Sequence, residues 1–147
     1  MILPDFKAFP RNGRILGIDW GQRRVGVAVS DPSRQFVFVR PTVTLKSGGH
    51  ATVVTDIARN EGVVGIVVGL PIRGDGTESE TSKMVREFVE DLSNKTDLPI
   101  CMIEENLTSA TAQENIGRVR VRELKEKLDS ESARVILENA IAMINRA

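Results

Sequence analysis

Arg14-Ile15-Leu16-Gly17-Ile18-Asp19-Trp20-Gly21-Gln22-Arg23-Arg24-Val25-Gly26-Val27-Ala28-Val29-Ser30-Asp31 contains two apolar runs joined by a short polar turn. Apolar runs of that length, punctuated by Gly and charged residues, read as a strand hairpin. The first run closes on an acid. An ionised carboxylate at the end of an apolar strand is costly unless it is solvated, paired or bound to a cation. Asp19 is therefore the first residue in the chain that asks for a chemical explanation.

Working outward, a third strand over Gln35 to Arg40 follows the turn Asp31-Pro32-Ser33, giving an antiparallel start of three strands. The period then changes. Val53, Val54, Ile57 and Ala58 fall at helical spacing, and Val63 to Val68 is a continuous apolar run of the kind covered on both faces. Thr77 with Glu80 three places on reads as a capping box, opening a helix whose stripe is Met84, Val85, Phe88, Val89 and Leu92. Ile100 to Ile103 is a fifth strand, and Thr108 to about Ile116 a short helix. Ala133, Ile136, Leu137, Ala140, Ile141 and Ile144 line a final helix that Asp129 opens. The expected fold is α/β: a mixed five-stranded sheet, three antiparallel strands and then two parallel, flanked by helices. Residues 1–13, with Pro4, Pro10 and Gly13, read as an extended leader, and 14–147 as one domain.

At 147 residues the chain suffices for one core. The lone Cys101, inside the apolar run Pro99 to Ile103, reads as a buried structural thiol and fits a reducing compartment. No signal-peptide pattern and no membrane-length apolar run is present, which makes the cytoplasm the expected location. Twenty basic and twenty acidic residues cancel, so affinity for a polyanion must come from a local patch.

Two more acid positions join Asp19. Glu104 and Glu105 end the fifth strand; neighbours on a strand face opposite ways, so at most one can share a site with Asp19. Asp129 continues the stripe 129, 133, 136, 140 and leans toward the sheet. Each has a plain alternative: a turn acid, a solvated strand end and an N-cap. Together, the tips of two strands and the start of a helix packed on them meet at one end of the sheet. Carboxylates so gathered repel one another unless cations neutralise them, and hard oxygen donors suit Mg²⁺ or Mn²⁺. Two such ions would activate water and stabilise the leaving oxygen of a phosphodiester. The single His50 is remote in sequence from Asp19, Glu105 and Asp129 and reads as a surface residue.

Arg118, Arg120, Arg122, Lys125 and Lys127 precede Asp129, opposed by Glu123 and Glu126, and Arg23 and Arg24 follow Asp19. A solvated connection is the plain reading; phosphate contact beside an acid cluster is the functional one. With no Tyr, one Trp and five Phe, stacking on single-stranded bases is poorly supported, and structured or duplex nucleic acid is the better substrate.

Four ordered motifs carry a resemblance. Gly17 to Gly21 with Val25 to Asp31, Val68-Gly69-Leu70-Pro71 with Asp75 to Ser79, Glu104 to Ser109, and Lys127 to Ala133 together resemble the YqgF family, also called RuvX. The likeness runs from Arg14 nearly to the C-terminus. It implies a ribonuclease H-like fold similar to that of Holliday junction resolvases. It also implies nuclease activity, a hydrolase acting on ester bonds in maturation of small-subunit ribosomal RNA and so in ribosome biogenesis. By the same resemblance Asp19, Glu105 and Asp129 are the metal-binding and catalytic acids, and precursor rRNA, branched DNA or ribosomal particles are the partners. The family usually has Asp-Glu-Arg where this chain has Glu104-Glu105-Asn106, so a fixed cation and bidentate phosphate donor is missing. Two other readings stay open. Gly17 to Gly21 also resembles the phosphate loop of actin-like ATPases, which use two such domains, and a non-catalytic nucleic-acid-binding or ribosome-associated module fits the neutral charge.

Overall fold

The computed structural model describes residues 1–73, 75–106 and 121–147, of which residues 106 and 121–130 are described by backbone alone. Six strands form one sheet: β1 (Ile2–Leu3), β2 (Ile15–Asp19), β3 (Arg24–Ser30), β4 (Val37–Thr44), β5 (Gly65–Ile72) and β6 (Ile100–Asn106). Their spatial order is β1-β6-β5-β2-β3-β4. β2, β3 and β4 pair antiparallel, whereas β5 pairs parallel with β2 and β6, and β1 parallel with β6. The sheet is mixed as expected, with one strand more: Ile2–Leu3 extends it, and Phe6 and Phe9 from the same leader are buried.

The described helices are α1 (His50–Glu61), α2 (Glu80–Lys95) and α3 (Val121–Arg146). The strand residues alternate between two cores, as the period of two requires. Leu16, Ile18, Val68 and Ile100 join the core that holds α1 and α2 residues such as Val54, Phe88 and Leu92. Ile15, Ala28, Val67, Cys101 and Ile103 join the other, with Ala133, Ile136, Leu137 and Ala140 of α3. Each fully buried Leu or Ile contributes on the order of 2 kcal/mol by leaving water.

Three local expectations are corrected. The third strand runs over Val37–Thr44, later than Gln35 to Arg40, because Asp31 ties down the preceding turn: its carboxylate accepts from the N–H groups of Ser33 and Phe36. α2 is capped by Ser79, whose hydroxyl accepts from the Ser82 N–H while the Ser82 hydroxyl accepts from the Ser79 N–H, so the capping box is Ser79 with Ser82. Thr77 is instead engaged with Asp75. Finally, α3 begins at Val121 and not at Asp129. After Gly117 no Gly or Pro interrupts the chain, and Glu, Leu, Lys and Arg dominate residues 122–128, so nothing stops helix propagation before Asp129. Asp129 sits about two turns inside the helix and is not its cap. The short helix expected over 108–116 lies outside the described residues.

Candidate active site at the strand ends

Asp19 and Glu105 occupy the same face of the sheet. On β2, Ile15 and Gly17 face α3 and Leu16 and Ile18 face the opposite core, so the alternation carries Asp19 to the α3 side. On β6, Cys101 and Ile103 face α3, and Glu105 follows them. Both acids are half-buried. Glu104 is exposed on the other face, toward Arg86, whose guanidinium pKa is raised first by its hydrogen bond to Glu78 and also by the charge of Glu104. The expectation that only one of the two glutamates faces the side of Asp19 therefore fits the observed register.

Between these strands lies Gly69 of β5, paired with Ile103 of β6. A Cβ on Gly69 would collide with Ile136 Cδ1 and stand 3.8 Å from Glu105 Oε2. A Cβ on Gly17 would stand 2.8 Å from Leu137 Cβ and 3.1 Å from the Ala133 carbonyl oxygen. These two glycines let α3 settle directly on the sheet beside the acids, which is what Gly within a strand commonly marks. The motif Gly17-Ile18-Asp19 held that signal, but their joint role appears only with the helix in place.

The direction of α3 follows from its far end. The Arg11 guanidinium donates to the Ala147 carbonyl at 3.0 Å, close to where β2 begins. The helix thus runs against β2, and its residues before Ala133 lie toward the strand ends that carry the acids. The side chain of Asp129 lies outside the described residues, as do those of Arg122, Lys125 and Lys127; Arg118 and Arg120 lie outside them altogether. Among the described residues, no group of three or more potential metal ligands is gathered.

Burial pushes the Glu105 carboxyl up to about 7. A half-buried carboxylate so destabilised is suited to a cation, and the acid donors are hard oxygens of the kind that hold Mg²⁺ or Mn²⁺. Arg23, exposed, and Arg24, half-buried, follow Asp19 closely. His50 departs from its expected surface role. Half-buried, its Nε2 lies 2.9 Å from the Gly21 carbonyl and 3.0 Å from that of Gln22, and its ring packs 5.3 Å from the Trp20 ring. The helix that His50 opens is thereby tied to the turn after Asp19, a link that sequence separation concealed. Cys101 is buried, with its thiol pushed up to about 11 by desolvation.

Comparison with known proteins adds an independent line. The family model described as "RuvX: Holliday junction resolvase" matches residues 13–143. A protein of Maridesulfovibrio salexigens named "Putative pre-16S rRNA nuclease" is 36% identical over 133 residues, covering 88% of this chain and 98% of that protein. One of Acidiphilium cryptum with the same name is 30% identical over 141 residues, covering 92% of this chain and 88% of that protein. Among solved structures, Thermus thermophilus RuvC, determined in complex with a Holliday junction substrate, superposes with a TM-score of 0.55 at 10% identity, over 91% of this chain and 96% of that one. At that identity the likeness concerns the fold.

Proposed function

The chain belongs to the RuvX family, and from that premise we propose that it is a metal-dependent nuclease that hydrolyses phosphodiester bonds in structured nucleic acid. Precursor small-subunit rRNA is the first candidate substrate, suggested by the names of its relatives, and a four-way DNA junction the second. The observation that carries the reading is the arrival of Asp19 and Glu105 on one face of the sheet, at the ends of β2 and β6, under the helix that bears Asp129.

Asp129 is the proposed third acid. It lies one helical turn, about 6 Å, before Ala133, and Ala133 rests over Gly17. Asp19 lies two strand residues, about 7 Å, beyond Gly17 in the same direction. The backbone level of Asp129 thus matches that of Asp19, which supports the triad. Two divalent cations, Mg²⁺ or Mn²⁺, would supply an activated water and charge neutralisation at the leaving oxygen. Asp19, Glu105 and Asp129 would hold them, and Gly17 and Gly69 let α3, which bears Asp129, settle close to the strand ends that carry the other two. Arg23, Arg24, Arg118, Arg120, Arg122, Lys125 and Lys127 are the proposed phosphate contacts, positioning the backbone without reading its bases. No helix among the described residues is long and apolar enough to cross a membrane, and we place the protein in the cytoplasm.

The test is cleavage of precursor rRNA and of a four-way DNA junction with Mg²⁺ or Mn²⁺, beside Asp19→Asn and a chelator control. Cleavage that depends on metal and disappears in Asp19→Asn is expected. Binding without cleavage under any divalent metal would leave a nucleic-acid-binding module instead. For the basic segment, Arg120→Ala with Arg122→Ala should lower the slope of log affinity against log salt by about 0.9 for every duplex phosphate no longer neutralised.

A further inference from the structure

β4 forms one edge of the sheet, and its outer side is unlike the rest of the surface. Phe36 is 62% exposed and Phe38 46%, while Phe6, Phe9 and Phe88 are buried. The two exposed rings stand at alternate positions, about 7 Å apart along the chain, and the backbone of Phe36 is held at both ends: its N–H donates to Asp31 Oδ1 and its carbonyl accepts from the Asp31 N–H. From Pro32 to Thr55 the sequence contains no Asp or Glu, but it does contain Arg34, Arg40 and Lys46. Arg40 is bound to Glu61 across two hydrogen bonds. Exposed Lys46 and Arg23 sit at the other end of the strip, where the Leu45 N–H donates to the Arg23 carbonyl and Thr44 pairs with Arg24. That end adjoins the turn following Asp19.

Two exposed aromatic side chains thus lie at one end of an edge whose own segment, 32–55, carries no acid, and cations beside the proposed active site lie at the other end. Strand addition by a protein is disfavoured there, because Pro41 offers no N–H and the register shifts between Val25 and Val27. Exposed aromatic faces suit unpaired nucleotides, whose bases stack, and the cations at the far end of the edge neutralise their phosphates. We propose that the outer edge of β4 binds a single-stranded extension of the substrate, running from the acids past Lys46 to Phe38 and Phe36, with roughly 33 Å from Lys46 to Phe36 at strand spacing. The proposal rests on the nuclease reading above.

The experiment uses the full chain carrying Asp19→Asn, so that no substrate is consumed, and fluorescence anisotropy with two labelled RNA hairpins, one blunt and one bearing an oligouridine extension. The parent should bind the extended hairpin more tightly. Phe36→Ser with Phe38→Ser should lower that affinity about tenfold or more, as loss of base stacking does, with little change on the blunt hairpin, and Phe38→Trp should restore most of it. Equal affinity of the parent for both hairpins, or equal loss on both, overturns the proposal. So does a parent that sediments as a dimer and becomes a monomer in the double Ser variant, since the strip would then belong to a second copy. A wild-type chain that cleaves nothing but retains the extension preference would sink the nuclease reading alone.

Discussion

At the ends of β2, β5 and β6 the two faces of the sheet are built from alternate residues of the same three strands, yet they do opposite things. Toward α1 and α2 the strands present Ile18, Val68 and Leu70, all buried in a closed apolar core, with exposed Glu104 at the margin. Toward α3 they present Gly17, Gly69, Asp19 and Glu105. One face maximises burial; the other gives up side-chain volume so that a helix can approach, and carries two carboxylates where hydration is incomplete. A period of two lets a strand serve stability and chemistry together without compromise within either face.

Neutralising the adjacent glutamates one at a time puts the division between the faces to its strongest test. Glu105→Gln should lower metal-dependent cleavage by about a hundredfold or more, since several kcal/mol of metal-held stabilisation are at stake and each ~1.36 kcal/mol is tenfold. Glu104→Gln should leave the rate within about twofold. Single-turnover kinetics on one substrate settles it, and equal effects would erase the functional distinction between the faces.

Packing on the α3 face gives the next effect. Ile136 is 1% exposed, and its truncation to Ala should cost about 2–5 kcal/mol in denaturant unfolding. Gly69→Val, which drives a side chain into Ile136 Cδ1, should cost about 1–3 kcal/mol. If Gly69→Val is neutral, α3 does not rest on the sheet as described.

The pH dependence of the metal-free chain sharpens the electrostatic half. Glu105 titrates at about 7 when folded, above its ordinary 4.5, so between those values the folded state binds more protons than the unfolded. Its contribution to stability is fully present below about 4.5 and is lost as pH rises through about 7. Thermal melting in chelator should therefore show a fall in Tm over that window that is absent in Glu105→Gln. A smaller effect is expected at Cys101: its buried thiol should alkylate slowly in the native chain and quickly once urea unfolds it.

Much of this was legible in the chain. Periodicity located the hairpin, the buried strand (expected over 63–68 and found at Gly65–Ile72), the stripe of α2 and the apolar side of α3, because each pattern is local and repeats at the spacing of its own element. The opposite orientation of Glu104 and Glu105 followed from alternation alone. What escaped was set by competition or by distance. Ser79 took the cap expected of Thr77 because Asp75 held Thr77, and α3 extended back past Asp129 because no residue stopped it.

Local pattern in the chain dictates which residues can face which way: strand alternation and helical stripes are properties of a few consecutive residues, and they suffice to put acids at strand ends and apolar side chains inward. Long-range assembly was needed to show which of those ends share a face under one helix, that Gly17 and Gly69 form the floor on which α3 rests, that His50 reaches the turn after Asp19, and that Phe36 and Phe38 are left exposed while the other three phenylalanines are buried. Each depends on segments far apart in sequence meeting, set by how the sheet is ordered and twisted, and no local pattern encodes them.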